Sequence, residues 1–416
     1  MYGLIGKKLT HSYSKEIHEL LQSDKYSLIE LNELASFFQE KKFKGINVTI
    51  PYKQAVIEYC DTLSEIAIRT HSVNSIINNG KEIKGYNTDY VGLSFALDYH
   101  QVSLKNKTIL ILGNGSTSRT IQILCADRKA REIIVSARNP QHNEIHFNDL
   151  KNHQNVDVIF NATPVGMYPE VNNSLNLDLS TFPNLKVVVD LIYNPFKTKL
   201  LLSTKKRNLK TINGLLMLVH QAVKSSELFH NTIYPEEITL KIYRSLKLKM
   251  LNFVLIGMPM SGKSYFAQLL GEHYHKIVVD IDKLIEETTG QSIPSIFRNS
   301  GENAFRNLET NTIMSVAKEH NQAISIGGGA ILNENNIQYL KQNGIIVFLD
   351  VSLAMLKTFN PKNRPLLKDK NNLEKLYYER YPLYTKYADI TITKDSLDEN
   401  KTLHTVEVKI DEYLNS

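Results

Sequence analysis

Two strand–glycine-loop–helix signals constrain this chain more than any other feature. The first is TILILGNGSTSRTIQIL, from Thr108 to Leu124, and the second is NFVLIGMPMSGKSYFAQLL, from Asn252 to Leu270. Each starts as an apolar run of buried-strand type, turns through glycines and continues with helical spacing. Each therefore opens a parallel α/β sheet with helices on its faces. Two such units in 416 residues imply two or three domains. The region ahead of the first signal is also α/β in pattern, with strand-like GINVTIP (Gly45 to Pro51) and apolar VNSIINNG (Val73 to Gly80). The stretch KIYRSLKLKM, Lys241 to Met250, lacks proline and glycine and reads as a short junction, not a flexible linker.

Composition narrows the class. With 42% hydrophobic and 22% charged residues the chain is of ordinary globular type. Its two cysteines, Cys60 and Cys125, make neither a disulfide scaffold nor a zinc pattern, and fit a reducing cytoplasm. The start, MYGLIGKKLTHSYSKEI, carries charge and hydroxyls too early for a signal peptide. No apolar run approaches the roughly 18 residues of a membrane span. The formal charge of +6 comes from scattered lysines without a nucleic-acid motif, and cations suit phosphate or carboxylate ligands equally. A soluble cytoplasmic protein with small-molecule partners, and no nucleic acid or membrane, is expected. Its oligomeric state is not legible.

Gly113, Gly115 and Ser118 occupy the positions of a G-x-G-x-x-G/A loop, where glycines permit a tight turn and close approach to a pyrophosphate. Alone, a structural turn explains the loop equally well. The next strand sharpens the reading: EIIVSARN ends on Arg138, about twenty residues on, where an NAD enzyme places an acid for the ribose hydroxyls. A cation there suits a 2′-phosphate and points to NADP(H); the alternative is a solvated arginine. Upstream, NVTIPYK carries Asn47, Thr49 and Lys53, and GYNTD carries Asn87, Thr88 and Asp89. Hydride transfer to a ketone leaves charge on oxygen, and a lysine beside a carboxylate can supply the proton.

Gly257-Met-Pro-Met-Ser-Gly-Lys263-Ser264 fits G-x-x-x-x-G-K-[ST] between an apolar strand and a helix, the context that motif requires. Its backbone amides would cradle phosphates, Lys263 would neutralise the transferred group, and the Ser264 hydroxyl would ligate Mg²⁺. Many nucleotide users share this loop, so the acceptor is set by other residues. VVDIDKLI supplies Asp280 and Asp282, expected on one side of an extended strand end. GENAFRNLE supplies Arg306, SIGGGAIL supplies Gly327, Gly328 and Gly329, RPLL supplies Arg364 and RYPLY supplies Arg380.

In order along residues 1–245, HSYS (His11 to Ser14), NVTIPYK, SVNS (Ser72 to Ser75), YNTD, NATPVGM (Asn161 to Met167), DLIYNP (Asp190 to Pro195) and NGLLMLVHQA (Asn213 to Ala222) resemble the motifs of shikimate dehydrogenases. The resemblance implies catalysis by Lys53 and Asp89. It implies Ser12 and Ser14 at the substrate carboxylate, with Thr49, Asn74, Asp89, Tyr193 and Gln221 around the ring hydroxyls. NADP would meet Gly113, Asn114, Gly115, Ser116, Thr117, Ala137, Arg138, Leu191 and Gly214. Lys8 and Lys15 stand where the family often has prolines, and Ser116 and Ser118 where glycine or alanine is usual. These departures bear on loop rigidity and cofactor affinity and leave the catalytic pair intact.

Residues 251–395 are similar to shikimate kinases, in the nucleoside-monophosphate-kinase-like group of P-loop folds. That implies ATP on Gly257, Met260, Ser261, Gly262, Lys263, Ser264 and Tyr265, and Mg²⁺ on Ser264 and, through water, Asp280. Asp282 would orient the acceptor hydroxyl, and Arg306 and Arg380 would grip the carboxylate beside Gly327, Gly328 and Gly329. Arg364 would lie on a lid that closes over ATP, adding charge in a loose transition state where positioning outweighs deprotonation. By this resemblance the chain reduces 3-dehydroshikimate with NADPH and phosphorylates the 3-hydroxyl of the resulting shikimate with ATP. The expected fold is α/β throughout: a substrate-binding lobe over 1–100 with 214–245 returning to it, a Rossmann-type NADP lobe over 101–213, and a P-loop kinase domain over 251–416. A metabolite-sensing regulator built from degenerate copies would be expected to lose Lys53, Asp89, Lys263 or Asp282, and all four are present. An NAD-linked quinate dehydrogenase is opposed by Arg138 and by the attached kinase.

Overall fold

Three separate sheets organise the chain. The computed structural model describes residues 1–9, 12–22, 24–359, 370–394 and 399–415. Its strands are β1 (Tyr2–Gly6), β2 (Tyr26–Glu30), β3 (Gly45–Val48), β4 (Thr62–Leu63), β5 (Ser75–Asn78), β6 (Ile83–Tyr86), β7 (Thr108–Leu112), β8 (Glu132–Ala137) and β9 (Ile145–His146). They continue as β10 (Val158–Asn161), β11 (Val187–Asp190), β12 (Lys210–Asn213), β13 (Asn252–Ile256), β14 (Ile277–Asp280), β15 (Gln322–Ser325), β16 (Gly344–Val351) and β17 (Ile390–Lys394).

The first sheet has the order β2-β1-β3-β5-β6-β4 and is mixed, because β5 runs antiparallel to both β3 and β6. The second, β12-β11-β10-β7-β8-β9, is wholly parallel, and so is the third, β14-β15-β13-β16-β17. Parallel sheets are covered on both faces and need continuous apolar strands. TILIL of β7 and NFVLI of β13 meet that need, with every residue buried. In both sheets the glycine loop leaves the central strand at its C-terminal end, where open α/β sheets bind ligands.

The chain divides into two compact units, 1–194 with 198–243, and 195–197 with 244–416. In the first, the helix Leu215–His230 packs on the helices Asp89–Tyr99 and Ser14–Leu21, which flank the first sheet. Gly92 makes that crossing possible: a Cβ there would lie 2.8 Å from the Met217 carbonyl oxygen and 2.9 Å from Gln221 Cβ.

The stretch Lys241 to Met250, expected as a junction, is the end of the helix Glu236–Met250, and residues 244–250 of it belong to the second unit. The physical reason is a set of lysine caps. Lys276 Nζ donates to the Leu248 and Leu251 carbonyls at 2.7 and 2.8 Å, and to Asn321 Oδ1 at 3.2 Å. Lys247 Nζ donates to the Leu414 carbonyl at 2.9 Å. A buried ammonium thus satisfies carbonyls that a helix end leaves without partners. Among the described residues, no helix is long and apolar enough to cross a membrane.

Gly92→Val places a branched side chain against fixed backbone and should destabilise the first unit by roughly 1–3 kcal/mol. Calorimetry should show the transition of that unit lowered and the transition of the second unchanged.

Candidate active sites

The turn after β3 presents Lys53. The Thr49 carbonyl accepts the Tyr52 amide at 2.9 Å, and the Lys53 carbonyl accepts the Val73 amide at 2.7 Å, so the lysine backbone is pinned at both sides. Asp89 starts the helix Asp89–Tyr99. Lys53 Nζ meets Asp89 Oδ2 at 2.5 Å, with the two side chains 13% and 7% exposed. Asn74 Nδ2 donates to Asp89 Oδ1 at 2.9 Å and lies 3.0 Å from Thr88 Oγ1 and 3.2 Å from Gln221 Oε1. Lys53, Asp89, Asn74 and Gln221 therefore form one contact group, although they come from four separate elements.

A buried polar chain extends behind this group. Tyr26 OH donates to Asn47 Oδ1 at 2.7 Å, Asn47 Nδ2 donates to Ser225 Oγ at 2.8 Å, and Ser225 Oγ lies 3.0 Å from Thr88 Oγ1. Ser225 and Tyr26 were not legible as part of a site. Ser12 and Ser14 sit together at the start of the helix Ser14–Leu21, where the Ser14 amide donates to Ser12 Oγ at 3.2 Å. Tyr193 approaches them through Tyr13, ring edge to ring face at 6.2 Å, and burial pushes its hydroxyl up to about 12. Thr49 packs over the end of β1, with its Cγ2 2.6 Å from where a Cβ on Gly6 would stand.

At the second sheet, Gly113 has φ +101°, and a Cβ there would meet Thr163 Cγ2 at 3.1 Å and the Ala162 backbone at 3.2 Å. Gly115 precedes the helix Ser116–Asp127 with no side-chain cap, and nothing lies within 4 Å of where its Cβ would stand, so that helix start suits an anion. Ser116 and Thr117 lie in that first turn, and Ser118 is buried against the sheet. Asn114 Nδ2 donates to the Asn139 carbonyl at 3.1 Å and to Glu144 Oε2 at 2.8 Å, tying the loop to the end of β8. Ala137 is buried there and Arg138 is exposed. Gly214 lies so close to the Leu191 carbonyl that any Cβ would overlap it. This cradle fits a dinucleotide pyrophosphate.

In the third sheet, Gly257 (φ +149°), Met260 (φ +71°) and Gly262 (φ +93°) turn the loop between β13 and the helix Lys263–Tyr274. Ser261 is buried and Tyr265 exposed. Lys263 Nζ donates to the Gly257 and Met258 carbonyls at 3.0 and 2.9 Å. Ser264 Oγ donates to Asp280 Oδ2 at 2.6 Å and lies 3.1 Å from Ser325 Oγ. This all-oxygen set suits a hard cation that keeps most of its water.

One expectation needs correcting. Asp280 and Asp282 do not share an extended strand end: Asp280 caps the helix Ile281–Thr289, accepting the Lys283 amide at 3.3 Å, and Asp282 lies in its first turn. A cap aspartate turns the chain helical at once. Asp282 Oδ1 then lies 2.9 Å, and Glu309 Oε1 2.8 Å, from where a Cβ on Gly327 would stand. Gly328 faces Pro259, and a Cβ on Gly329 would overlap the Arg306 guanidinium. Arg306 NH1 donates to Glu309 Oε2 at 2.8 Å, and NH2 donates to Glu302 Oε1 at 3.1 Å. Arg380 is 4% exposed, and the neighbouring Tyr384 hydroxyl donates to the Gly328 carbonyl at 2.6 Å. Glu309 Oε1 and Arg380 Nε are buried without a hydrogen-bond partner among the described residues. Glu309 was missed by sequence reasoning, although its i+3 spacing from Arg306 was a usable signal. Burial holds its carboxyl above the usual glutamate range, Arg306 pulls it down, and Asp282 adds to the rise. Arg364 and His11 lie outside the described residues.

Comparison with known proteins matches the chain to two families. A shikimate dehydrogenase substrate-binding domain matches residues 4–76, and a shikimate kinase domain matches residues 259–410. A shikimate dehydrogenase (NADP(+)) of Clostridium beijerinckii is 34% identical over 261 residues, which are 58% of this chain and 96% of that protein. The crystal structure of a chorismate mutase/shikimate 5-dehydrogenase fusion from Clostridium acetobutylicum aligns at 36% identity and TM-score 0.56, covering 59% of this chain and 96% of that one. A shikimate dehydrogenase solved in complex with NADP+ aligns at 30% identity and TM-score 0.52, covering 58% and 93%.

The chain belongs to the shikimate dehydrogenase family and carries a shikimate kinase domain behind it. It is an oxidoreductase joined to a kinase of the same pathway. In the dehydrogenase half, one buried acid stands apart from the Lys53–Asp89 pair. Asp190 ends β11 and accepts from Thr198 Oγ1 at 2.6 Å, Asn161 Nδ2 at 2.9 Å and the Ile192 amide at 3.1 Å. These bonds fix the turn that carries Leu191. Burial pushes the Asp190 carboxyl up to about 6, with the three hydrogen bonds opposing.

The sign of the pH effect follows. The folded state keeps a proton that the unfolded chain releases, so the Asp190 contribution is most favourable below about pH 4 and is lost as pH rises through about 6. Asp190→Asn keeps an acceptor and does not ionise. Denaturant titrations from about pH 4 to pH 7 should show the wild type losing up to about 3 kcal/mol relative to that variant.

Proposed function

We propose that the first unit reduces 3-dehydroshikimate to shikimate with NADPH, and that the second phosphorylates the 3-hydroxyl of shikimate with ATP and Mg²⁺. The observation that carries the reading is the 2.5 Å Lys53–Asp89 pair, shielded from solvent and aligned by Asn74 and Gln221. The Lys53 ammonium would protonate the ketone oxygen as charge develops on it. Asp89 holds that ammonium in position and, with Asn74 and Gln221, offers polar groups to ring hydroxyls. Ser12 and Ser14, at the start of a helix, suit the carboxylate. NADPH bound along Gly113–Thr117 would supply the hydride, and Arg138 favours its 2′-phosphate over a bare ribose. Lobes over 1–100 with 214–245, and over 101–213, are the natural division of this work.

In the kinase domain, Arg306 stands against Gly329 and Arg380 acts on Glu309, which with Asp282 faces Gly327; this supports carboxylate binding next to a residue that orients the acceptor hydroxyl. Glu309 aims Arg306. Mg²⁺ on Ser264 and Asp280 would neutralise phosphate charge. The two reactions share an intermediate, since the hydroxyl made by the first is the acceptor of the second. A single assay with 3-dehydroshikimate, NADPH and ATP tests the whole reading: NADPH consumption without a phosphorylated product would refute the kinase half.

Lys53→Ala should lower dehydrogenase turnover at least about a hundredfold and leave phosphorylation of added shikimate intact. Near-normal turnover in the folded variant would remove Lys53 as proton donor.

Lysine keeps the charge of arginine but loses its planar fork. Arg306→Lys and Arg380→Lys, made separately, should each weaken shikimate binding at saturating ATP by about ten- to a hundredfold. Unchanged affinity in both would defeat the forked contact.

A further inference from the structure

Lys394 closes β17 at the C-terminal edge of the third sheet, in register with Val351 of β16. Lysines are rarely this deep: it is 9% exposed. Its Nζ lies 3.9 Å from where a Cβ on Gly262 would stand and 5.3 Å from the centre of the Phe266 ring. Gly262 is the residue from which the helix Lys263–Tyr274 departs, and Phe266 lies in the first turn of that helix. Among the described residues, the Phe266 ring is the contact this ammonium makes, and no carboxylate or carbonyl receives it.

That placement is unfavourable by itself. The helix start carries partial positive charge, and a buried ammonium beside it adds a second like charge with little water to spread it. A ring contact compensates only in part. The same arrangement becomes favourable when a polyanion enters, because helix amides and ammonium then act on one charge. Lys263 rests at the other end of the loop, on the Gly257 and Met258 carbonyls. The loop is therefore bracketed by two lysines, of which only Lys263 belongs to its motif.

We propose that Lys394 is a nucleotide-binding residue of the kinase domain, its ammonium pairing with a phosphate oxygen of a nucleoside di- or triphosphate at the Gly262 end of the loop. This rests on the kinase reading above and adds a residue to it. Position, not local sequence, makes the assignment: Lys394 reaches the loop from a strand at the far edge of the sheet order.

The test uses the full chain and ADP as the probe, with affinity read by titration calorimetry. Lys394→Met keeps the aliphatic stem against Phe266 and removes the charge, and Lys394→Arg restores a cation. Lys394→Gln stands in if the methionine variant fails to fold. ADP affinity should fall about tenfold or more in the uncharged variants and recover most of that loss in the arginine variant. Unchanged ADP affinity in the uncharged variants overturns the role of Lys394, and so does an arginine variant as weak as they are. A wild-type chain that takes up no ADP overturns the kinase reading itself, which keeps the two failures distinct.

Discussion

The first unit is organised around one ion pair that water barely reaches. Lys53 comes from the turn after β3, Asp89 from a helix start, Asn74 from the run into β5 and Gln221 from a helix near the end of the unit. Taking two charges out of water is unfavourable unless their geometry is good and their remaining hydrogen-bonding capacity is used. Here the second carboxylate oxygen is used by Asn74, and Asn74 is itself held by the Thr88 amide at 2.7 Å. The consequence is that four chain segments must be in register together. Helix Leu215–His230 thereby acts as part of the first sheet's site although it follows the whole second sheet in sequence.

The kinase domain handles buried charge by a different route. The carboxylates and guanidiniums around Gly327–Gly329 lean on one another without using every polar atom, and Glu309 Oε1 and Arg380 Nε remain unpaired among the described residues. A buried group left this way is costly, and a ligand carrying both an acid and hydroxyls would remove that cost. The Lys53–Asp89 pair is closed on itself, whereas the cluster around Glu309 and Arg380 keeps buried polar atoms open.

Much of this was legible because the chemistry is written in local spacing. Glycine loops announce themselves, since few other residues take the φ values of Gly113, Gly257 and Gly262. Lys53 and Asp89 lie in short polar motifs within otherwise apolar surroundings. What escaped is what depends on tertiary approach. Ser225 reaches Asn47 across 178 residues, and nothing near either residue in sequence signals the contact. Lys394 looks like any strand-end lysine until the sheet order puts it beside the loop. Asp282 departs from the expected strand end for a local reason: Asp280 caps a helix at once, which overrides the strand that precedes it. Glu309 sat in a quoted motif, but its burial depends on the packing of Gly327 above it.

The lysine-capped end of helix Glu236–Met250 bears on how the two enzymes can be separated. The last turns of that helix give their carbonyls to Lys276, a residue of the strand-bearing body of the kinase, and Lys247 gives its ammonium to the final helix, Glu399–Asn415. A kinase excised at Leu251 would lose the Leu248 carbonyl and strand Lys276 with a buried charge short of one acceptor. One excised at Arg244 would keep every cap. The seam between the two enzymes thus lies inside a helix, and the residues that look like connective sequence are the kinase's own first turns.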